Sequence, residues 1–205
     1  MIDSIWSRIE ESRSRCNVLE HPFYQRWSAG ELSAADLVAY SGQYRHAVTA
    51  IATLSEAAAA AAPQHRELAE HATEEAAHIR LWDGFLSEVD GDESAASNPE
   101  TAECVDAWVG GEDESLVLKL AALYAIESGQ PEISRTKLEG LRDHYGVANA
   151  RGTTYFTVHQ SRDLEHAEQA RELIEQVASL DDADAIVARA EAVFDANWRL
   201  LDGVC

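Results

Sequence analysis

Two histidines and an aspartate recur at helical spacing in the C-terminal third of the chain. His159, Asp163 and His166 are separated by four and then three residues within the segment from Tyr155 to Glu172. At about 100° per residue, these steps bring all three side chains to one narrow stripe of an α-helix. Imidazole nitrogen and carboxylate oxygen are donors that iron and manganese accept. The stripe therefore predicts a metal site built on a helix, and the alternative is a solvated polar face.

Two other segments carry residues of the same chemical type. Glu75 and His78 are three residues apart in a helical pattern, so they share a helix face. Glu127 lies near the end of a mostly apolar helix, where an unpaired carboxylate is not expected because a buried carboxylate needs a partner. Together, the three segments offer three imidazoles and three carboxylates. This set suits two metal ions that share a carboxylate inside a helical bundle.

Helical periodicity dominates the elements that must position these donors, and no strand-like alternation occurs. Proline, glycine and polar clusters mark the ends of the predicted helices, with a clear loop over 90–98 and a break over 128–131. We therefore expect an all-α protein of about seven to nine helices that forms a single domain over residues 1–205. The predicted helices cover approximately residues 2–16, 22–30, 34–62, 64–86, 99–109, 112–127, 132–145, 153–179 and 181–201.

Composition excludes several classes of partner. The formal net charge of −21 argues against nucleic acid, because a phosphate backbone would be repelled. No run of about 18 apolar residues is present and the first residues are charged, so we expect a soluble, cytoplasmic protein without a membrane partner. The three cysteines are far apart, which argues against a disulfide framework or a cysteine zinc site. Only Lys119 and Lys137 are lysines among sixteen basic residues, a bias typical of a halophilic source or of a GC-rich genome.

The sequence around the donors extends the pattern to nearly the whole chain. The segments LEHPFYQRWSAGELS, LVAYSGQYRHAV, HIRLW, ESGQPEISRTKLEGL and HQSRDLEH resemble the heme-oxygenase-like di-iron oxygenases. This resemblance implies a heme-oxygenase-like (TenA/PqqC-like) helical bundle. It also implies an enzyme that uses two non-heme iron ions, with manganese as the other candidate metal and O₂ as co-substrate. The metal ligands that it implies are Glu75, His78, Glu127, His159, Asp163 and His166.

The first of these ligands is left open among Glu74, Glu75 and His71. Glu75 is preferred because it lies three residues before His78 and hence beside it on the helix. Apart from that option, we expect His71 to be a surface residue, like His65 and His144.

The closest resemblance is to CADD-like p-aminobenzoate synthases, which consume one of their own tyrosines and take the amino group from a lysine. It implies Tyr24 as the source and Lys137 as the amino donor. Lysine can lose its proton and act as a nucleophile, whereas arginine cannot. The alternative for these two residues is a core aromatic and a solvated lysine. Tyr40 and Tyr44 are further aromatic residues that we expect to line the pocket.

Other reactions remain open within the same fold. One is UndA-, BesC- or SznF-like oxidation of an external fatty acid, amino acid or amine. Another is a metal-free PqqC-like or TenA-like enzyme, although no cysteine lies near the donor segments to act as the TenA-type nucleophile. A third is a non-enzymatic protein that binds a partner. We expect a small-molecule or self-derived substrate, and a homodimer is left open.

Overall fold

The computed structural model describes residues 2–205, apart from the side chains of Ile2, Asp3 and Leu180. Within these residues the regular structure consists of nine α-helices and two short 3-10 turns, Val18–Glu20 and Leu180–Asp182, and it contains no strand. The expected all-α class is confirmed. The helices are α1 Ile2–Arg15, α2 Pro22–Ala29, α3 Ala34–Ala61, α4 Arg66–Glu88, α5 Pro99–Val109, α6 Leu116–Glu127, α7 Gln130–Asp143, α8 Ala150–Val177 and α9 Ala183–Asp202.

Local sequence signals fix the short helix α2 and the start of α3. The ring of His21 accepts a hydrogen bond from the backbone of α2, and Pro22 occupies its first turn, where the missing N–H costs nothing. Gly30 closes the helix in the left-handed region, at φ 71°. Ser33 and Asp36 then form the predicted capping box at the start of α3. The turn between these helices is therefore defined by the sequence itself.

The predicted break between α6 and α7 is shorter than expected. We expected helix 132–145 to begin after Pro131, but α7 begins at Gln130 and includes Pro131 in its first turn. Proline is compatible with that position because the first N–H groups of a helix have no intrahelical partner. Only Ser128 and Gly129 separate the two helices, so Glu127 and Gln130 lie on opposite sides of a tight junction.

Helix α8 lies at the centre of the arrangement that positions the donors. It packs against α4, α6 and α7, while α3 covers α4, and α9 packs against α1, α5 and α6. The interior next to α8 is rich in aromatic side chains that are almost fully buried, among them Tyr24, Trp27, Tyr40, Tyr44 and Trp82. None of the described helices combines the length and apolar character needed to cross a membrane.

Candidate active site

Three helices bring a set of metal-type donors into the interior. Helix α4 contributes from one side, α6 contributes its last residue, and α8 contributes the predicted stripe. All six donors named from the sequence are at most 5% exposed, and a seventh, His71, is buried beside them. The set consists of His71, Glu75, His78, Glu127, His159, Asp163 and His166.

The donor atoms fall into two groups that share one carboxylate. One ligand atom from each of His71, Glu75, Glu127 and His166 lies within 4.8 Å of the others. A second group of the same compactness consists of Glu75, His78 and His159. Because Glu75 belongs to both groups, the geometry suits two neighbouring cations with a bridging carboxylate.

The expectation that His71 is a surface residue was wrong. Its side chain is 5% exposed, its Nε2 lies 2.7 Å from Oε1 of Glu127, and its ring centroid lies 4.0 Å from that of His166. The reason is helical spacing, since His71 precedes Glu75 by four residues and His78 by seven, which places all three on one face. That signal was present in the sequence.

Glu74, the other residue left open, lies at the edge of the site. Its side chain is 34% exposed and forms an ion pair with Arg162. Glu75 points inward, with its Oε1 3.0 Å from Nδ1 of His78. The preferred carboxylate therefore lies among the donors, and Glu74 lies outside both groups.

The hydrogen-bond pattern tests whether these residues fit a metal. Several of their buried polar atoms have no hydrogen-bond partner, namely both carboxylate oxygens of Glu127 and of Asp163, His71 Nε2, His78 Nδ1, His159 Nε2 and His166 Nδ1. Even the 2.7 Å approach of His71 to Glu127 does not have the angular geometry of a hydrogen bond. A buried polar atom without a partner costs about 1–3 kcal/mol, so a converging set of them is unfavourable unless a cation joins them. The donor set fits iron.

Burial also sets the charge states of the donors. It raises the pKa of Glu127 and of Asp163 well above the ordinary carboxyl range. For Glu75, burial acts in the same direction, but the contact with His78 at 3.0 Å and the charges of the neighbouring imidazoles together outweigh it and lower the pKa. Burial lowers the pKa of both His159 and His166 to about 4. These imidazoles are therefore neutral at physiological pH, which is the form that binds a metal.

The orientation of His159 is set by its own helix. Its Nδ1 lies 2.7 Å from the carbonyl oxygen of Tyr155, and a carbonyl only accepts, so Nδ1 carries the proton. Nε2 is then free to bind a metal with its lone pair. The ring of Tyr155 also stacks on His159 with centroids 3.9 Å apart.

Lys137 lies in an aromatic pocket next to these donors. Its side chain is 0% exposed, and its Nζ has no hydrogen-bond partner, so the alternative of a solvated lysine is wrong. Five aromatic rings surround Nζ, and their centroids lie at 4.3 Å for Tyr44, 5.4 Å for Tyr40, 5.5 Å for Phe156, 5.7 Å for Trp82 and 5.9 Å for Tyr24. Burial lowers the pKa of Lys137 to about 7, while the charge of Asp163 acts in the opposite direction. A substantial fraction of the amine is therefore neutral near neutral pH.

The tyrosines around Lys137 are held by polar contacts. The hydroxyl oxygens of Tyr24 and Tyr40 lie 3.4 Å apart. The amide of Gln130 donates a hydrogen bond of 3.0 Å to the hydroxyl of Tyr44. Sequence reasoning gave Gln130 no role, although it precedes Lys137 by seven residues and hence lies on the same face of α7.

The cysteines do not support a cysteine nucleophile at this site. Cys104 is buried in the hydrophobic core, Cys16 donates a hydrogen bond to Asp195, and Cys205 is an exposed residue whose sulfur lies 4.0 Å from Nδ1 of His21. No cysteine belongs to either donor group in the described residues.

The chain is similar to known proteins over most of its length. Residues 33–198 match the model of a family described as iron-containing redox enzymes. The chain is similar to the 4-aminobenzoate synthase of Chlamydia pneumoniae, with 31% identity over 197 residues, which are 90% of this chain and 88% of that protein. It is also similar to the 4-aminobenzoate synthase of Nitrosomonas europaea, with 29% identity over 213 residues, covering 92% of this chain and 85% of that protein.

Solved structures share the fold at lower identity. A TenA homologue from Pseudomonas syringae pv. tomato superimposes with a TM-score of 0.83 at 18% identity, over 98% of this chain and 91% of that one. A CADD-like protein of unknown function from Nostoc punctiforme superimposes with a TM-score of 0.79 at 18% identity, over 99% of this chain and 96% of that one. The expected heme-oxygenase-like, TenA-like bundle is confirmed.

Proposed function

The chain belongs to the family of iron-containing redox enzymes, and we propose that it is a non-heme di-iron, O₂-dependent oxidase that makes 4-aminobenzoate from its own Tyr24, with Lys137 as the amino donor. The observation that carries the proposal is the buried, unpartnered amine of Lys137 among tyrosine rings, beside two groups of metal donors. The similarity to proteins named 4-aminobenzoate synthase supports the choice of product.

The donors would form two neighbouring metal positions. His71, Glu127 and His166 would hold one ion, His78 and His159 the other, and Glu75 would bridge them. Asp163 belongs to neither compact group, but it is buried on the same stripe of α8 and both its carboxylate oxygens lack a partner, so it would be a further metal ligand. Its charge, once ionised, would act on Lys137. Bound ferrous iron would supply the electrons that reduce O₂.

The carbon skeleton of tyrosine matches that of the product. A tyrosine side chain contains a six-membered ring, a para hydroxyl group and Cβ, and 4-aminobenzoate contains the same ring with a para amino group and one carboxyl carbon. Forming the product therefore requires cleavage of the Cα–Cβ bond and oxidation of Cβ to a carboxyl group. It also requires replacement of the phenol oxygen, which leaves as water, by a nitrogen that is released when the Nζ–Cε bond of the lysine is cleaved. Oxidation requires O₂ as the oxidant, and the nitrogen requires an amine close to the ring.

Lys137 satisfies the second requirement. Burial favours its neutral form, which has the lone pair that a nucleophile needs. The surrounding rings exclude water from the amine, and they leave it no competing hydrogen-bond acceptor. Tyr24 is also fully buried, and burial raises the pKa of its phenol well above the ordinary value, so it keeps its proton, close to the hydroxyl of Tyr40.

The test is synthesis without an added substrate. Protein loaded anaerobically with about two ferrous ions per chain is mixed with reductant and O₂, and released 4-aminobenzoate is measured by mass spectrometry. We expect at most about one product per chain, because the source is consumed, together with a loss of mass from the peptide that contains Tyr24. Tyr24→Phe and Lys137→Arg should abolish release.

The chain offers matched controls for both variants. Lys119→Arg alters the other lysine, which donates to the carbonyl of Gly111, and Tyr124→Phe alters a tyrosine that packs on Trp6. Both controls should release product at the wild-type level. Undiminished release from Tyr24→Phe and Lys137→Arg would refute these two assignments. An iron-loaded wild-type protein that makes no 4-aminobenzoate would instead favour oxidation of an external substrate.

A further inference from the structure

We infer that Glu74, held in place by Arg162, is a positioning residue that fixes the tautomer and orientation of His166 and thereby sets the metal affinity of its donor group. The inference rests on the metal-binding part of the proposed function and is independent of the product. Glu74 is on α4 and Arg162 and His166 are on α8, so the three side chains join the two helices that supply most of the donors.

The carboxylate of Glu74 is held in a fixed position by Arg162. Arg162 donates two hydrogen bonds to it, from Nε to Oε2 at 3.1 Å and from Nη2 to Oε1 at 2.5 Å. Such a paired contact constrains both the distance and the plane of the carboxylate. Arg162 also donates to Glu165, which anchors the guanidinium group from the other side.

The contact with Glu74 determines which ring nitrogen of His166 carries the proton. Oε2 of Glu74 lies 3.2 Å from Nε2 of His166. A carboxylate in an ion pair accepts hydrogen bonds and donates none, so Nε2 must carry the proton. Nδ1 then has the lone pair, and this atom is buried, without a hydrogen-bond partner, and 3.8 Å from Oε1 of the shared Glu75.

Among the described residues, no other hydrogen bond to the ring of His166 fixes this proton. The neighbouring ring of His71 lies 4.0 Å from His166 at an interplanar angle of 36°, a contact that does not distinguish the two tautomers. His159 differs, because the carbonyl of Tyr155 on its own helix sets its tautomer. Carboxylates that hydrogen-bond a ligating imidazole typically change metal affinity by about 10–100-fold. A merely structural ion pair at this edge would have no such effect.

The experiment measures the tautomer before any metal is added. In metal-free protein with ¹⁵N-labelled histidine, long-range ¹H–¹⁵N spectra report which ring nitrogen is protonated, and His166→Gln identifies the resonances of His166. We expect the Nε2–H tautomer in the wild type and a shift toward the Nδ1–H tautomer in Glu74→Ala. Glu70→Ala is the matched control, because Glu70 is on the same helix and pairs with Arg66 at the surface.

The second readout is metal affinity, measured by titration of Mn²⁺ and Fe²⁺ against a competing chelator. Glu74→Ala should weaken binding by about 10–100-fold, and Glu70→Ala should not. If Glu74→Ala fails to fold, the same comparison is made with Glu74→Gln, which keeps the shape of the side chain but loses its charge. An unchanged tautomer with unchanged affinity overturns the inference. A wild type that binds metal but makes no 4-aminobenzoate contradicts the proposed product and leaves the inference standing.

Discussion

At the scale of single residues, burial gives the donors their chemistry. Desolvation raises the pKa of Glu127 and Asp163 and lowers that of His159 and His166, so each group is driven toward its neutral form. A bound cation would favour the ionised form of the two carboxyl groups, while the imidazoles would stay neutral. Metal binding at this site should therefore release protons from the carboxyl groups and couple to the stability of the fold.

The buried amine of Lys137 should make the free energy of unfolding depend on pH, and this can be measured in metal-free protein. Its pKa is lowered to about 7 in the folded chain from an ordinary value of 10.5, so between these values the unfolded chain binds the additional proton. The free energy of unfolding should therefore rise as the pH increases through this window. The contribution is about 2 kcal/mol between pH 7 and pH 9. The measurement is urea unfolding of wild type and of Lys137→Met at several pH values.

The difference in the free energy of unfolding between wild type and Lys137→Met reports on this lysine alone, because the other groups titrate in both proteins. Lys119→Met is a suitable second comparison because Lys119 donates a hydrogen bond to the carbonyl of Gly111. A wild type whose stability relative to Lys137→Met does not change between pH 7 and pH 9 would show that the buried amine keeps an ordinary pKa.

At the scale of elements, the α2–α7 contact places the tyrosine that is the proposed source against the lysine. Tyr24 and Trp27 are three residues apart on α2, and Lys137 and Gly140 are three residues apart on α7. A Cβ atom added at Gly140 would collide with the indole of Trp27, so glycine permits the close approach of the two helices. The Trp27–Gly140 contact therefore sets how near α2 brings Tyr24 to the amine.

Gly140→Ala tests this contact. Alanine favours a helix over glycine by about 1 kcal/mol, but the collision with Trp27 should outweigh this gain and destabilise the protein by about 1–3 kcal/mol. Release of 4-aminobenzoate should fall even at temperatures where the variant is folded. Gly111→Ala is the control, since an added Cβ there meets nothing within 4 Å. Urea unfolding and product yield are the measurements, and equal stability of the two variants would contradict the close contact.

Helical periodicity was sufficient to predict α4, α6 and α8 and the faces on which their donors lie. The same periodicity placed His71 on the face of Glu75 and His78, but its role as a donor depends on Glu127 of α6, whose Oε1 lies 2.7 Å from its Nε2. The burial of Lys137 could not be predicted from its own segment either. Its neighbours include Tyr24, Tyr40 and Tyr44, which lie about a hundred residues earlier in the chain. Such contacts depend on how helices pack, and one segment does not specify them.

At the scale of the whole molecule, charge opposes the compact state. Acidic residues number 37 against 16 lysines and arginines, which leaves a formal net charge of −21. The bases are largely used in ion pairs such as Arg189 with Glu114 and Arg45 with Asp83, so most of the excess acid repels itself. This repulsion acts over the Debye length, which falls from about 30 Å at 0.01 M salt to about 3 Å at 1 M.

Added salt should therefore stabilise the protein. We expect the midpoint of thermal unfolding of metal-free protein to rise as NaCl increases, by about 2–4 °C for each kcal/mol of repulsion removed. Most of the rise should occur below about 0.3 M, because screening is then nearly complete at the spacing of surface charges. KCl at equal ionic strength should give the same midpoint of thermal unfolding, because screening depends on ionic strength alone. Specific binding of an ion would instead depend on which ion is present. A midpoint that falls with salt would mean that the ion pairs contribute more to stability than the excess of acid costs.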